Sequence, residues 1–138
     1  MLFIFDLDDT TINSQHRQGE TLADWIALNT PENVARDSLL PLADSWKTID
    51  QSRHDVVIMT SRVIADADLA FLARSGLRYR FIYSRPEGSM IPCGQLKTAM
   101  ILQCARDLGR SLAWMQSNAY MFDDSNEVRE ALASLKIK

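Results

Sequence analysis

Short apolar runs recur along the chain and are separated by longer stretches with helical periodicity. Residues that favour β-structure fill positions 2–7, 56–59, 80–84 and 119–122, and each run predicts a strand. The first run is apolar at almost every position, which is expected of a central strand covered by helices on both faces. The pattern therefore predicts four strands, with the first of them inside the sheet.

The stretches between the strands are amphipathic and predict helices. A short helix is expected over 21–29, and Asp37 with Ser38 resembles the N-cap of a helix that runs to about Gln51, with Pro41 tolerated in its first turn. The polar segment 9–20 is rich in turn formers and predicts a loop over the end of the first strand. Three further helices are expected over 64–75, 95–108 and 126–135.

Strands of four to six residues that alternate with helices indicate repeated β-α-β units. The predicted fold class is therefore α/β, a Rossmann-like three-layer sandwich with a central parallel sheet, in a single domain over residues 1–138. Ligands of such sheets bind beyond the carboxyl ends of the strands. We therefore expect the polar clusters that follow the strands to meet in one crevice.

Composition and charge mainly exclude other classes. The net charge of −3 argues against a sequence-independent duplex binder, which needs many basic contacts to phosphate. No apolar run approaches the roughly 20 residues that span a bilayer, so no membrane association is expected. The chain starts with a core-like strand and has only Cys93 and Cys104, from which we expect a cytoplasmic protein with reduced thiols.

Polar clusters follow the predicted strands or begin the next helix. In chain order they are Asp6-x-Asp8-x-Thr10, Thr60-Ser61-Arg62, Lys97 and Asp123-Asp124. Several carboxylates at one edge of a sheet repel one another unless a cation lies among them, and Mg²⁺ prefers oxygen ligands. An isolated D-x-D would be weak evidence, but the whole ordered set is specific.

These clusters, in this order, resemble the haloacid dehalogenase (HAD) superfamily of phosphotransferases over nearly the whole chain. The resemblance implies a Mg²⁺-dependent phosphomonoesterase that works through an aspartyl-phosphate. Asp6 would be the nucleophile, and Asp8 would be the general acid and base. Thr60 would donate hydrogen bonds to the transferring phosphoryl group, and Lys97 would offset its negative charge.

The same resemblance implies the metal ligands and further substrate contacts. Mg²⁺ would be held by Asp6, the Asp8 backbone carbonyl and the pair Asp123 and Asp124, with the division between the last two left open. Thr10 and Ser61 would contact the substrate. Asp9 departs from the family pattern, because a glycine is frequent at that position.

The segments that could carry a cap domain, 11–54 and 63–94, are short and predict a minimal cap or none. The arginine-bearing loops around Arg62 and Arg85, followed by the lysine helix, resemble the 3′-phosphatase domain of phage-type polynucleotide kinase-phosphatases. This resemblance implies that both arginines hold the substrate phosphate or its nucleotide. The alternative is that they are surface residues. The chain has no G-x-x-x-x-G-K-[ST] motif for a kinase half.

The expected partner is thus a phosphorylated substrate, with a nucleotide or a nucleic-acid 3′-phosphate preferred. Two alternatives stay open: a small-molecule nucleotidase or metabolite phosphatase whose site is closed by oligomerisation, and a non-catalytic HAD-like interaction module. Trp25, Trp46 and Trp114 could stack on bases, but their helical contexts favour core packing for all three.

Overall fold

The computed structural model describes residues 1–138 and is built around a parallel four-stranded sheet. The strands in chain order are β1 Leu2–Phe5, β2 Ile12–Asn13, β3 Ser38–Leu39, β4 Asp55–Met59, β5 Phe81–Tyr83 and β6 Ala119–Phe122. The sheet order is β5-β4-β1-β6, and every neighbouring pair is parallel. Strand β1 therefore lies between β4 and β6, so that Phe5 pairs with Ile58 on one side and with Phe122 on the other.

Helices cover both faces of this sheet. They are α1 Leu22–Leu28, α2 Pro31–Val34, α3 Pro41–Lys47, α4 Asp66–Arg74, α5 Cys93–Leu108, α6 Leu112–Asn118 and α7 Asn126–Ser134. One buried cluster joins Leu2 and Ile4 of β1 to helices α5, α6 and α7, and a second joins Phe5 to α2, α3 and α4. Because side chains alternate across a strand, the two clusters lie on opposite faces. The predicted α/β three-layer sandwich is confirmed.

Trp46 of α3 is a central residue of the second cluster. Its ring is fully buried and stacks on Phe5 with 4.8 Å between ring centroids, and its indole N–H donates to the Arg78 carbonyl at 2.8 Å. The prediction of core packing is confirmed for this tryptophan.

Replacing Trp46 by Phe should lower the free energy of unfolding by about 1–2 kcal/mol, because the hydrogen bond and part of the packed volume are lost. The Arg78 carbonyl keeps a second donor in Gln51 Nε2, which limits the loss. Urea unfolding measures the change. The matched change Trp114→Phe, at a partly exposed ring, should lower the free energy of unfolding by clearly less. Equal losses would contradict the assignment of Trp46 to the core.

The helix predicted from Asp37 and Ser38 to about Gln51 is wrong at both ends. Ser38 and Leu39 form β3, which pairs antiparallel with β2, and α3 spans only Pro41–Lys47. The reason is that the Asp37 carboxylate accepts hydrogen bonds from the Arg17 guanidinium and does not cap a helix.

Several short elements were not predicted from the sequence. The polar segment 9–20 contains β2 and a 3₁₀ turn over Gln15–Arg17, and α2 and α6 lie in stretches for which no helix was expected. Helix α2 starts at Pro31, just beyond the short helix expected over 21–29. None of the helices is both long enough and apolar enough to cross a membrane.

Candidate active site

A cavity of about 360 Å³ lies at the carboxyl ends of the strands. Six carboxylates line it: Asp6, Asp8, Asp9, Glu20, Asp123 and Asp124. Three cations face them: Arg62, Arg85 and Lys97. The structure therefore brings the sequence-distant clusters together in one crevice, as expected from the parallel sheet, and negative charge is in excess there.

A tight loop after β1 sets the positions of the first acids. The Asp6 N–H donates to the Phe122 carbonyl at 3.0 Å, which extends the pairing of β1 with β6. The Leu7 carbonyl then accepts the backbone N–H groups of Thr11 and Ile12, at 3.0 and 2.9 Å. Asp9 closes this loop with φ of 61°, in the left-handed region that glycine adopts without steric cost. This conformation explains why a glycine would suit that position.

Asp6 is almost completely buried, and both of its carboxylate oxygens have partners. Oδ1 accepts from Lys97 Nζ at 2.9 Å, and Oδ2 accepts from Thr10 Oγ1 at 3.1 Å. Burial raises the pKa of Asp6 to about 7; the Lys97 charge opposes this rise, and the Asp123 charge adds to it.

Lys97 of α5 joins the two ends of the sequence at the site. Its Nζ donates to Asp6 Oδ1 at 2.9 Å, to Asp123 Oδ2 at 2.8 Å and to the Met59 carbonyl at 2.7 Å. These three bonds use every N–H of the ammonium group. Burial works to lower the pKa of Lys97, but the two carboxylates outweigh it and hold that pKa above its ordinary value. The side chain is therefore a fixed positive charge.

Asp8 points to a different set of partners. Arg62 Nε donates to Asp8 Oδ2 at 3.0 Å, and Arg62 Nη2 and Ser14 Oγ bind the other oxygen. Burial works to raise the pKa of Asp8, but the Arg62 guanidinium prevails and holds it below its ordinary value. The forked ion pair thus fixes the direction of the carboxylate and favours its ionised form.

Arg62 belongs to a buried ionic chain that includes residues not singled out in the sequence. Its Nη1 donates to Asp68 Oδ1 at 2.6 Å, and the same oxygen lies 3.4 Å from Arg17 Nη2. Arg17 also makes a two-bonded pair with Asp37, at 2.8 and 2.7 Å. All of these side chains are buried, so the alternative that Arg62 is a surface residue is wrong. We call the set Arg17, Asp37, Arg62 and Asp68 the ionic chain.

Arg85 is also buried, which excludes the surface alternative for it as well, but it has no carboxylate partner. Its Nε donates to the Ser61 carbonyl at 2.8 Å and its Nη1 to the Ile91 carbonyl at 2.7 Å. Its Nη2 faces only the Cys93 sulfur, at 3.7 Å. Arg85 therefore brings to the cavity wall a positive charge that no carboxylate neutralises, and its Nη2 keeps one N–H without a partner.

Thr10 and Thr60, the two threonines expected at the site, lie in different surroundings. Thr10 Oγ1 lies 3.1 Å from Asp6 Oδ2 and 3.2 Å from Asp124 Oδ1, and so links the loops after β1 and β6. Thr60 is fully buried, lies outside the cavity lining, and its Oγ1 accepts the Arg62 N–H at 3.1 Å. It does not cap the following helix, because α4 begins only at Asp66.

Three carboxylates are close enough to share a cation. One oxygen each from Asp6, Asp123 and Asp124 lies within 4.8 Å of the others. Asp6 and Asp123 each give only one oxygen to Lys97, and Asp124 is exposed. The Asp8 carboxylate is outside this group. An all-oxygen donor set suits a hard divalent cation such as Mg²⁺.

Solved structures of known proteins share this fold. Two structures of a Pnkp1/Rnl/Hen1 complex, one described as an RNA repair complex, each contain a chain that matches with a TM-score of 0.72 and 20% sequence identity. The match covers 98% of this chain but only 40% and 43% of those chains, so the protein spans about two-fifths of their length. At this identity the likeness shows the fold alone.

Sequence comparison gives the family. No curated protein matches the chain. The family model described as "Bacteriophage T5 5'-deoxynucleotidase" matches residues 1–135, almost the entire sequence. The chain therefore belongs to the bacteriophage T5 5′-deoxynucleotidase family.

Proposed function

We propose that the protein is a Mg²⁺-dependent phosphomonoesterase of the HAD type, a single catalytic domain that hydrolyses nucleoside 5′-monophosphates. The observation that carries the proposal is the placement of Lys97 between Asp6 and Asp123, in a cavity that Arg85, which has no carboxylate partner, also lines. This arrangement supplies a buried carboxylate nucleophile, a fixed positive charge and a guanidinium without a carboxylate partner in one cavity. Such a set suits transfer of a dianionic phosphoryl group.

The family description supports the mononucleotide over the nucleic-acid end as the substrate. It names a 5′-deoxynucleotidase, and the cavity of about 360 Å³ falls within the usual range for small-molecule sites, about 300–1,000 Å³. The second candidate is a 3′-phosphorylated oligonucleotide. It is supported by the likeness of the Arg62 and Arg85 loops to those of phage-type 3′-phosphatase domains.

In the proposed reaction, a carboxylate oxygen of Asp6 attacks phosphorus and the bond from phosphorus to the ester oxygen breaks. Asp8 takes up a proton from solvent when the substrate phosphate draws the Arg62 guanidinium away from it, and gives this proton to the departing nucleoside oxygen. In the second step Asp8 takes a proton from water, the resulting hydroxide attacks phosphorus, and inorganic phosphate leaves while the Asp6 carboxylate is restored. The two hydrogen bonds from Arg62 stabilise the ionised form of Asp8, which is the form that accepts the proton from water. The substrate phosphate offers the Arg62 guanidinium an alternative partner during the first step.

The phosphate oxygens would be held mainly by Arg85 and Ser61. The Arg85 Nη2 group keeps one free N–H, whereas Lys97 has used all three of its own and acts through its charge. Thr60 would act indirectly, because its hydroxyl holds the backbone N–H of Arg62. Thr10 would keep the Asp6 and Asp124 loops at a fixed separation.

Mg²⁺ fits the excess of carboxylates at the site. Asp6, Asp123, Asp124 and the Asp8 backbone carbonyl would hold it, and it would neutralise charge on the phosphate. Without such a cation, six carboxylates against three cations would repel a phosphate dianion.

Removal of divalent ions with EDTA should therefore abolish phosphate release, and added Mg²⁺ should restore it. The variant Asp124→Asn should need a higher Mg²⁺ concentration for half-maximal rate, whereas the exposed Asp44→Asn on α3 should not. Phosphate release measured across a Mg²⁺ titration gives both values. Full activity after exhaustive chelation would contradict a metal-dependent site.

A substrate panel tests the proposed function. Deoxynucleoside 5′-monophosphates, 3′-phosphorylated oligonucleotides and a sugar phosphate are compared with Mg²⁺ present, and kcat/KM should be highest for the 5′-monophosphates. A preference for the oligonucleotide would favour the second candidate. No turnover of any of the three would overturn the enzymatic proposal and leave the non-catalytic interaction module.

A further inference from the structure

Helix α1 leaves its apolar side chains unburied beside the active site. None of its seven residues is buried, although Thr21 and Asp24 form a complete capping box at its start. Leu22 and Trp25 are three positions apart and therefore lie on one side of the helix. Neither packs against either hydrophobic cluster of the protein, and both line the cavity that contains Asp6.

Trp25 differs from the other two tryptophans in its surroundings. Trp46 is buried against Phe5, and Trp114 packs at the edge of the first cluster with the Arg110 guanidinium 4.8 Å from its ring centroid. Trp25 has no aromatic or cationic partner. It also borders a second cavity of about 260 Å³. The sequence-based expectation of core packing is therefore wrong for Trp25.

The Trp25 indole is only partly buried, and its helix packs against neither hydrophobic cluster, so core packing does not account for this side chain. Its position suits a flat aromatic ligand, because an indole face stacks on any nucleobase. The cavity is lined both by Asp6 and Arg85, where a phosphate would lie, and by the apolar pair Leu22 and Trp25. A nucleotide has this same division into a charged phosphate end and a flat apolar end.

Accordingly, we propose that Leu22 and Trp25 form the nucleobase subsite, in which the base of a nucleoside 5′-monophosphate stacks on the Trp25 indole. This rests on the proposed function, since the phosphate of the same molecule is placed at Asp6. The subsite recognises an aromatic heterocycle through its face, so it binds purines and pyrimidines alike. Helix α1 thereby contributes the apolar part of the cavity wall.

The test compares a substrate that has a base with one that lacks it. In Trp25→Ala, the ratio of kcat/KM for a deoxynucleoside 5′-monophosphate to kcat/KM for deoxyribose 5-phosphate should fall about tenfold or more. Trp25→Phe should keep most of the ratio. Trp114→Ala, a half-exposed tryptophan outside the cavity, should not change it. A ratio does not depend on the fraction of folded protein, so an effect on folding does not obscure the result.

Equilibrium binding separates this proposal from the proposed function. Calorimetric titration of the Asp6→Asn protein with a deoxynucleoside 5′-monophosphate should give a dissociation constant that rises about tenfold or more when Trp25→Ala is added. If the wild-type protein releases no phosphate but this rise is seen, the subsite holds and the phosphatase proposal fails. If the dissociation constant or the kinetic ratio is the same with and without the Trp25 ring, the subsite proposal is overturned.

Discussion

Replacing Asp6 by Asn should reduce phosphate release by at least about 10⁴-fold, because an amide oxygen does not form the acyl-phosphate bond. The amide keeps the shape of the carboxylate and can still accept from Lys97, so the thermal unfolding midpoint should show a folded protein. Steady-state phosphate release measures the loss. The exposed control Asp44→Asn should retain the wild-type rate. A loss of less than tenfold would remove Asp6 from the role of nucleophile.

A loss of rate alone does not separate a nucleophile from a metal ligand. A rapid acid quench of the wild-type reaction with phosphate-labelled nucleotide should leave label on the protein, and the Asp6→Asn protein should carry none. An unlabelled wild-type protein under single-turnover conditions would contradict the aspartyl-phosphate route and favour direct attack by water.

Replacing Asp68 by Ala should lower the free energy of unfolding by about 3 kcal/mol. Its carboxylate is shared by Arg62 and Arg17, and removing one partner of a buried ion pair typically costs about 3–5 kcal/mol. Each arginine keeps a second carboxylate partner, so we expect a loss at the lower end of this energy range. Urea unfolding measures the difference between the variant and the wild type.

Asp66 provides the matched control for this change. It lies in the first turn of the same helix but is exposed, so Asp66→Ala should cost only a small fraction of the Asp68 value. The Asp68→Ala protein should also have a lower kcat. Arg62 pairs with Asp8 and Asp68, and without Asp68 its guanidinium is held less firmly against Asp8. Equal destabilisation by the two variants would show that the ionic chain contributes little to stability.

The sequence predicted the sheet and the residues at its edge because both follow from local signals. An apolar run that ends in Asp-x-Asp marks a strand end, and parallel strands all end at the same edge. Asp6, Lys97 and Asp123 were therefore expected together, and the structure places them within hydrogen-bond distance. Their catalytic roles stay predictions.

The ionic chain could not be predicted because its partners are far apart in the sequence and each has an ordinary local context. Arg17 lies in a polar segment with no periodicity, and Asp68 occupies the third position of α4, where an acid usually only caps the helix. Asp37 was interpreted as a cap for the same reason. Trp25 was assigned to a core because helical spacing does not show whether another element covers that side of the helix.

The position of β1 between β4 and β6 has a consequence for folding. Asp6 and Asp123 meet only when the first and the last strands of the sheet have paired, and closure of so long a loop is entropically costly. No local fragment of the fold contains both carboxylates. We expect catalytic activity and the far-UV circular dichroism signal to disappear at the same urea concentration, so that activity reports the population of completely folded molecules.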